Sequence, residues 1–267
     1  IFTSATLIAA ALRVLNIFIS NRLSAVIGTD LSCEAYRRTL FQDYESYLKR
    51  SSNEIIAAAT SITANVVISI YSALQIFTSG FIFIALLTTL LYINWAIAFI
   101  TAMLICLVYL ILAINLKTRL SSNSSFIVKY TNNQVKALQE GLGGFREVYL
   151  NNHQVWYLKI YELADKQLRL KISENAFLNL FPKYVLEAFG MLILAFITLF
   201  LTKNSSENDA IIPTIGAFAL GAQRILPTTQ LIYSSWTNIQ SRNESMRKIL
   251  QMIRQPIKGS KNNLRIK

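Results

Sequence analysis

The chain has 267 residues, of which 53% are hydrophobic and 15% charged, with a formal net charge of +12 and a mean hydropathy of +0.41. Soluble domains of ordinary composition do not reach a positive mean hydropathy, so these values indicate a membrane protein. A nucleic-acid-binding function is disfavoured, because no compact basic domain separates from the apolar segments.

The first apolar segments of the chain predict membrane spans. Residues 1–21 carry a single charged side chain, Arg13, and form the first predicted span. Residues 55–116 then contain no Asp, Glu, Lys, Arg or His over 62 positions. As one helix this segment would measure about 93 Å, against a hydrocarbon core of about 30 Å. It must therefore fold back on itself.

The turn inside this segment is predicted at "LLYINWAIAF". There Tyr92, Asn94 and Trp95 combine a polar side chain with aromatic rings that favour the membrane interface. The two spans that result are residues 65–92 and 94–116.

Two further spans follow in the second half of the chain. Residues 184–202 are apolar except for Glu187, and residues 211–236 are apolar except for Arg224. Glu187 lies near the predicted inner boundary, where it is either a proton relay or a surface carboxylate that pairs with Lys183 four residues earlier.

The basic residues predict the orientation of these five spans. If residues 22–64, 117–183 and 242–267 face the cytoplasm, they hold 23 of the 26 basic residues, as the positive-inside rule requires. Five spans place the N-terminus outside, yet residue 1 is already apolar, so we expect a fragment that lacks a preceding span. The polar segment 255–267 is expected to be a linker towards a following domain.

The cytoplasmic segments 22–64 and 117–183 are predicted to be long helical hairpins. In the second hairpin, apolar residues recur mostly at steps of three and four while basic residues supply a polar face. The apolar set is Phe145, Val148, Tyr149, Val155, Trp156, Ile160 and Leu163, and the basic set is Lys159, Lys166, Arg169 and Lys171. The glycine run "GLGGF" at 141–145 is interpreted as a close-packing or bending point in a helix.

The hairpins resemble a known family. "NRLSAVIGTDLSCEAYRRTLFQDYESYLKRSSNEIIAA" and "QEGLGGFREVYLNNHQVWYLKIYELADKQLR" resemble the two intracellular loops of the membrane domain of exporter-type ABC transporters. "PKYVLEAFGMLILAF" and "QRILPTTQLIYSSW" are similar to the fifth and sixth helices of that domain, in the branch of lipid-linked oligosaccharide flippases and related bacterial exporters. The resemblance implies an all-α transmembrane domain of the six-helix type over residues 1–254, with about five spans present.

The resemblance also implies a function. The chain would be the permease part of an ATP-driven exporter or flippase, a multi-pass protein of the bacterial inner (plasma) membrane that moves an amphipathic, anionic substrate such as a lipid-linked glycan or glycolipid by alternating access. The alternatives are an ABC exporter of peptides, drugs or lipids, and a non-transporting membrane scaffold or sensor.

The implied partners are a nucleotide-binding domain on the same polypeptide, a second transporter half in a homodimer, and the lipid bilayer, with no nucleic acid. No G-x-x-x-x-G-K-[ST] motif occurs, so these residues hold no ATPase site of that type. No cofactor is expected in this chain, and ATP and Mg would bind the missing nucleotide-binding domain.

In the family, each cytoplasmic hairpin turns at a short coupling helix that docks on the nucleotide-binding domain. These turns correspond to about residues 43–50 and 151–157. The implied docking residues are Tyr44, Tyr47 and Leu48 at the first turn and Asn152, His153, Gln154 and Trp156 at the second. The aromatic residues could instead pack between the long helices. His153 is the only histidine, so a metal site is not expected.

Arg224 is the main candidate for substrate binding. In a helix that begins near Pro213, it lies about 16 Å along the axis, roughly midway through the hydrocarbon layer. A central guanidinium should face protein or a watery cavity, where it can bind a phosphate or other anionic head group. Alternatively it satisfies the Gln223 carbonyl that Pro227, the predicted helix kink, leaves without its helical donor. Arg13 would line the cavity or extend to the interface.

Overall fold

The computed structural model describes residues 2–42, 52–93, 95–204 and 211–254. These residues are helical with no strand, which confirms the predicted all-α fold class. A π-helical turn at Ala58–Ile62 joins the second helix to the third. The α-helices are α1 (Phe2–Leu40), α2 (Ser52–Ala57), α3 (Thr63–Ile93), α4 (Trp95–Gly143), α5 (Phe145–Leu150), α6 (Gln154–Asn204), α7 (Ile211–Gln240) and α8 (Asn243–Ile253).

Several helices are much longer than a bilayer requires. Helix α4 has 49 residues and α6 has 51, which corresponds to about 75 Å each, more than twice the hydrocarbon thickness of about 30 Å. Each of them runs without a break from a predicted span into the predicted second hairpin. The continuation of the spans as long helices is therefore present in the structure.

Two stretches of helix among the described residues are long and apolar enough to cross a membrane. They are Thr6–Leu40 and Ser52–Tyr92, and in each the most apolar window is only 11% buried. The core helix of a soluble protein would be mostly covered by its own chain, so this exposure favours a lipid environment. The other three predicted spans include residues whose side chains lie outside the described set, and they stay predictions.

The predicted turn between the second and third spans coincides with a helix boundary. Helix α3 ends at Ile93 and α4 begins at Trp95. The sequence also predicts a short external turn at residues 203–210, between the spans 184–202 and 211–236, but residues 205–210 lie outside the described residues. Helix α7 begins at Ile211, so Pro213 lies in its first turn, where the missing N–H breaks no helical hydrogen bond.

The contacts divide the chain into two compact units. The first comprises residues 1–71, 121–173 and 240–267, and the second comprises residues 72–120 and 174–239. The core of the first unit consists of Ala35, Ala57, Ala58, Ile62, Val66, Val128, Ile249 and Met252. The second unit has two small clusters, one of Leu90 and Ile225 and one of Tyr109, Leu186 and Tyr233.

Small residues allow the helices of the first unit to approach closely. Ala57 and Ala58 are fully buried, and Gly28 of α1 leaves no room for a Cβ atom against Val67 of α3. The π-helical turn is held by Thr63, whose backbone N–H and hydroxyl both donate to the Ala58 carbonyl. Ser32 of α1 donates to the Ala59 carbonyl in the same turn.

Within the first unit, polar side chains join α8 to α4 and join the two arms of the second hairpin to each other. The Ser124 hydroxyl of α4 accepts a hydrogen bond from the Glu244 N–H at 3.0 Å, so it caps the N-terminus of α8 from another helix. Gln134 of α4 donates to Asp165 of α6 at 2.7 Å and to the Tyr161 hydroxyl at 3.2 Å. These last two bonds join the two arms of the hairpin.

A candidate docking turn

The second hairpin bends at its glycine run. Gly144 interrupts the helix between α4 and α5, with φ −102° and ψ 30°. Its N–H still donates to the Glu140 carbonyl at 3.2 Å, so the chain changes direction without losing that bond. The glycine run, interpreted as a close-packing or bending point, thus holds the break between α4 and α5 at Gly144.

The reversal after α5 is a Schellman motif built on Asn152. The His153 N–H donates to the Val148 carbonyl at 2.9 Å, and the Asn152 N–H donates to the Tyr149 carbonyl at 3.3 Å. Asn152 has φ 54°, the left-handed conformation that this motif requires after a helix. Because asparagine tolerates this conformation better than other non-glycine residues, the sequence itself specifies the turn.

The residues predicted for the second docking turn lie together at this reversal. Asn152 and His153 are in the turn, Gln154 and Trp156 are in the first turn of α6, and all four are exposed. The reversal is tighter than the predicted range 151–157, because the left-handed residue reverses the chain within three positions.

Packing between α4 and α6 supports the turn. A Cβ atom at Gly141 would lie 3.6 Å from the Tyr157 ring, so α4 and α6 are in close contact there. Trp156 stands edge-on to Tyr157, with ring centroids 4.8 Å apart. The Trp156 ring therefore packs against Tyr157, which itself contacts α4, while Trp156 stays 58% exposed.

The end of the hairpin carries several exposed apolar side chains, which together we call the hairpin tip. It consists of Leu142, Phe145, Tyr149, Leu150, Val155, Trp156 and Leu158. Val148 is the one residue of α5 that is buried. The predicted apolar face is thus only partly used for packing within the chain. Exposed apolar clusters of this kind mark interaction surfaces.

The remaining predicted site residues are less informative. Tyr44, Tyr47 and Leu48 lie outside the described residues. Arg13 is exposed on α1. The backbone of Arg224 belongs to α7, but its side chain lies outside what the structure describes. Pro227 is exposed within α7, and the helix continues past it to Gln240.

The predicted pairing of Glu187 with Lys183 is not formed. Both residues are described and exposed, and the ion pairs between described residues do not include them. The Lys183 ammonium lies instead 5.8 Å from the centroid of the Tyr184 ring.

The sequence did not point to a buried polar contact between Tyr233 and the Leu178 carbonyl. The signal for it was Pro182, four residues after Leu178 in an otherwise uninterrupted helix.

No protein-family model matches the chain. Among the described residues, no group of three or more His, Cys, Asp or Glu side chains could hold a metal ion.

Proposed function

We propose that the chain is the transmembrane permease part of an ATP-driven ABC exporter or flippase. Three features support this proposal. The apolar stretches of α1 and α3 are exposed, helices α4 and α6 are about twice as long as a bilayer requires, and the hairpin that joins them ends in exposed apolar side chains.

The hairpin tip is the observation that carries the proposal. Large apolar side chains on a rigid turn bind strongly, because burying them against a partner releases water and restricts little additional motion. Trp and Tyr are typical of the few residues that dominate such interfaces. The partner proposed for the tip, from the family resemblance, is a nucleotide-binding domain.

Helices α4 and α6 would transmit the motion of that partner. The bonds from Gln134 to Asp165 and Tyr161 tie the two arms together, so that they move as one body near the tip. In the proposed cycle, ATP-driven movement of the nucleotide-binding domains displaces the tip and rocks the packed helices between inward-facing and outward-facing states.

The proposed substrate is amphipathic and anionic, such as a lipid-linked glycan or glycolipid. This part of the proposal rests on Arg224, the only charged residue in the predicted span 211–236. A guanidinium within the hydrocarbon layer requires a partner, and its planar fork fits a phosphate group. Export of peptides, drugs or other lipids is the alternative within the same family.

A non-transporting scaffold or sensor is the second alternative. Its long helices would pass a signal through the tip to a different domain. The protein would then carry out no ATP-coupled transport, and substitutions at the tip would affect signalling instead.

The test is substitution at the hairpin tip in the intact transporter, reconstituted in liposomes. Trp156→Ala and Leu158→Ala should each reduce transport several-fold and weaken its coupling to ATP hydrolysis, because packing into the partner is lost. Leu170→Ala is the matched control for Leu158→Ala. It makes the same change at a similarly exposed site on α6, about 18 Å further along the helix.

The control should transport at the wild-type rate. Equal transport by wild type, Trp156→Ala and Leu158→Ala at equal expression would remove the docking role from the tip. A lack of any ATP-dependent transport, combined with binding of a different signalling domain, would favour the scaffold or sensor.

A further inference from the structure

Helix α6 contains a turn that lacks a backbone hydrogen bond. Pro182 lies inside α6 and is fully buried. Proline has no backbone N–H, so the helical bond from position 182 to the Leu178 carbonyl cannot form. That carbonyl needs another donor, because its residue is buried and an unpaired buried acceptor destabilises the fold.

Tyr233 of α7 supplies the donor. Its hydroxyl donates to the Leu178 carbonyl at 3.2 Å, across 55 positions of sequence. The side chain is 4% exposed, and its ring lies 5.2 Å from that of Tyr109 and 6.1 Å from that of Trp236. The aromatic neighbours restrict access of water, which could otherwise replace the tyrosine as donor.

We propose that residues 178–182 of α6 form a hinge, which the Tyr233 hydroxyl holds closed. The turn has one helical bond fewer than its neighbours, so it is the point at which α6 bends most readily. The replacement bond comes from α7, and the closed hinge therefore requires α7 to stay in place. Release of the hydroxyl frees α6 to bend. The inference does not rest on the proposed transport function, because it concerns contacts within the second unit.

A four-variant cycle tests the hinge in the full chain, purified in lipid nanodiscs. The variants are wild type, Tyr233→Phe, Pro182→Ala and the double variant. Tyr233→Phe should lower the midpoint of thermal unfolding by about 2–4 °C, because the Leu178 carbonyl loses its donor. In the Pro182→Ala background the same change should have less than half that effect, since the N–H of the new alanine can donate to Leu178.

Hydrogen exchange locates the effect. Tyr233→Phe should raise the hydrogen-exchange rate of the α6 amides at residues 179–186 by about fivefold to tenfold. In the double variant, Pro182→Ala should restore their protection. Tyr109→Phe is the matched control. It removes a hydroxyl from the same aromatic cluster, on a ring 5.2 Å from that of Tyr233, and leaves the bond from Tyr233 to the Leu178 carbonyl in place. It should leave exchange in α6 unchanged.

Two results would overturn the proposal. One is an equal loss of stability from Tyr233→Phe in the wild-type and Pro182→Ala backgrounds, which would mean that the hydroxyl does not compensate for the proline. The other is equal exchange in α6 for Tyr233→Phe and Tyr109→Phe, which would mean that the bond does not hold the turn.

Discussion

Asn152 determines how the hairpin tip is presented. Its φ of 54° is costly for most residues with a side chain, and it is offset here by the two hydrogen bonds of the Schellman motif. Because the turn is short and closed by these hydrogen bonds, Trp156 is held in a fixed position in the first turn of α6.

The effect of a substitution at Asn152 on stability should depend on how easily the new residue adopts positive φ, and not on the loss of the asparagine side chain. Asn152→Gly should be neutral or slightly stabilising, since glycine adopts positive φ freely. Asn152→Ala should cost about 1 kcal/mol of unfolding free energy, measured by thermal or denaturant unfolding in detergent. If glycine and alanine were equally destabilising, the asparagine side chain would be the important element.

Arg224 is the residue on which the proposed substrate class rests. In the intact transporter, Arg224→Gln and Arg224→Lys should both lower transport and substrate-stimulated ATP hydrolysis, while basal hydrolysis and thermal stability stay close to wild type. Lysine should not rescue activity, because an ammonium lacks the planar fork of the guanidinium. A loss of stability parallel to the loss of activity would instead favour a role in capping the Gln223 carbonyl beside Pro227.

At the scale of the elements, α8 depends on a side chain from a distant part of the sequence. Arg242, which precedes α8, makes no capping bond with its side chain, and Ser124 supplies the acceptor instead. Glu244 in the first turn adds a favourable interaction with the positive end of the helix dipole.

Ser124→Ala should therefore destabilise the chain by about 0.5–2 kcal/mol, the usual cost of losing an N-terminal cap. Ser125→Ala is the matched control, because Ser125 is the next residue on α4 and is exposed. Thermal unfolding of the two variants in the same detergent separates the cap from the general effect of alanine. Equal midpoints for both variants would show that α8 does not need the cap.

The elements that local chemistry controls were predictable from the sequence. The helix boundary beside Asn94 and the break at Gly144 follow from residues at that place. The turn at 151–157 was expected from the family resemblance, and the left-handed Asn152 is the residue that makes it. Contacts that join distant segments were not predictable, because the sequence alone does not show how two helices are placed relative to each other. The bonds of Tyr233 to Leu178 and of Ser124 to Glu244 are of this kind.

The exposure of the apolar face in the second hairpin was also not predictable. Its periodicity predicted an apolar stripe correctly, but periodicity does not say which side chains find partners within the same chain. Val148 is buried, whereas Phe145 and Trp156 are exposed.

Over the described chain as a whole, the exposed apolar surfaces fit a membrane environment. Helix α1 exposes apolar side chains all round its first half, and α3 exposes large ones such as Phe77 and Phe81. In water such surfaces would associate, whereas in lipid they need no protein partner. The basic residues of the predicted cytoplasmic segments then fix which end of each helix faces inwards.

Cysteine labelling of intact cells tests this topology most directly. The free cysteines Cys33 and Cys106 are both exposed and must first be replaced by serine. Single cysteines are then introduced at Ser205, Ser122 and Ser260, and an impermeant maleimide is added. Ser122 is used because it is exposed, whereas the neighbouring Asn123 is buried.

We expect labelling at position 205 in intact cells, and labelling at positions 122 and 260 only after the membrane is permeabilised. Labelling of position 122 from outside without permeabilisation would contradict this topology, because the second hairpin and its tip would then lie on the opposite side of the membrane from the proposed nucleotide-binding domain.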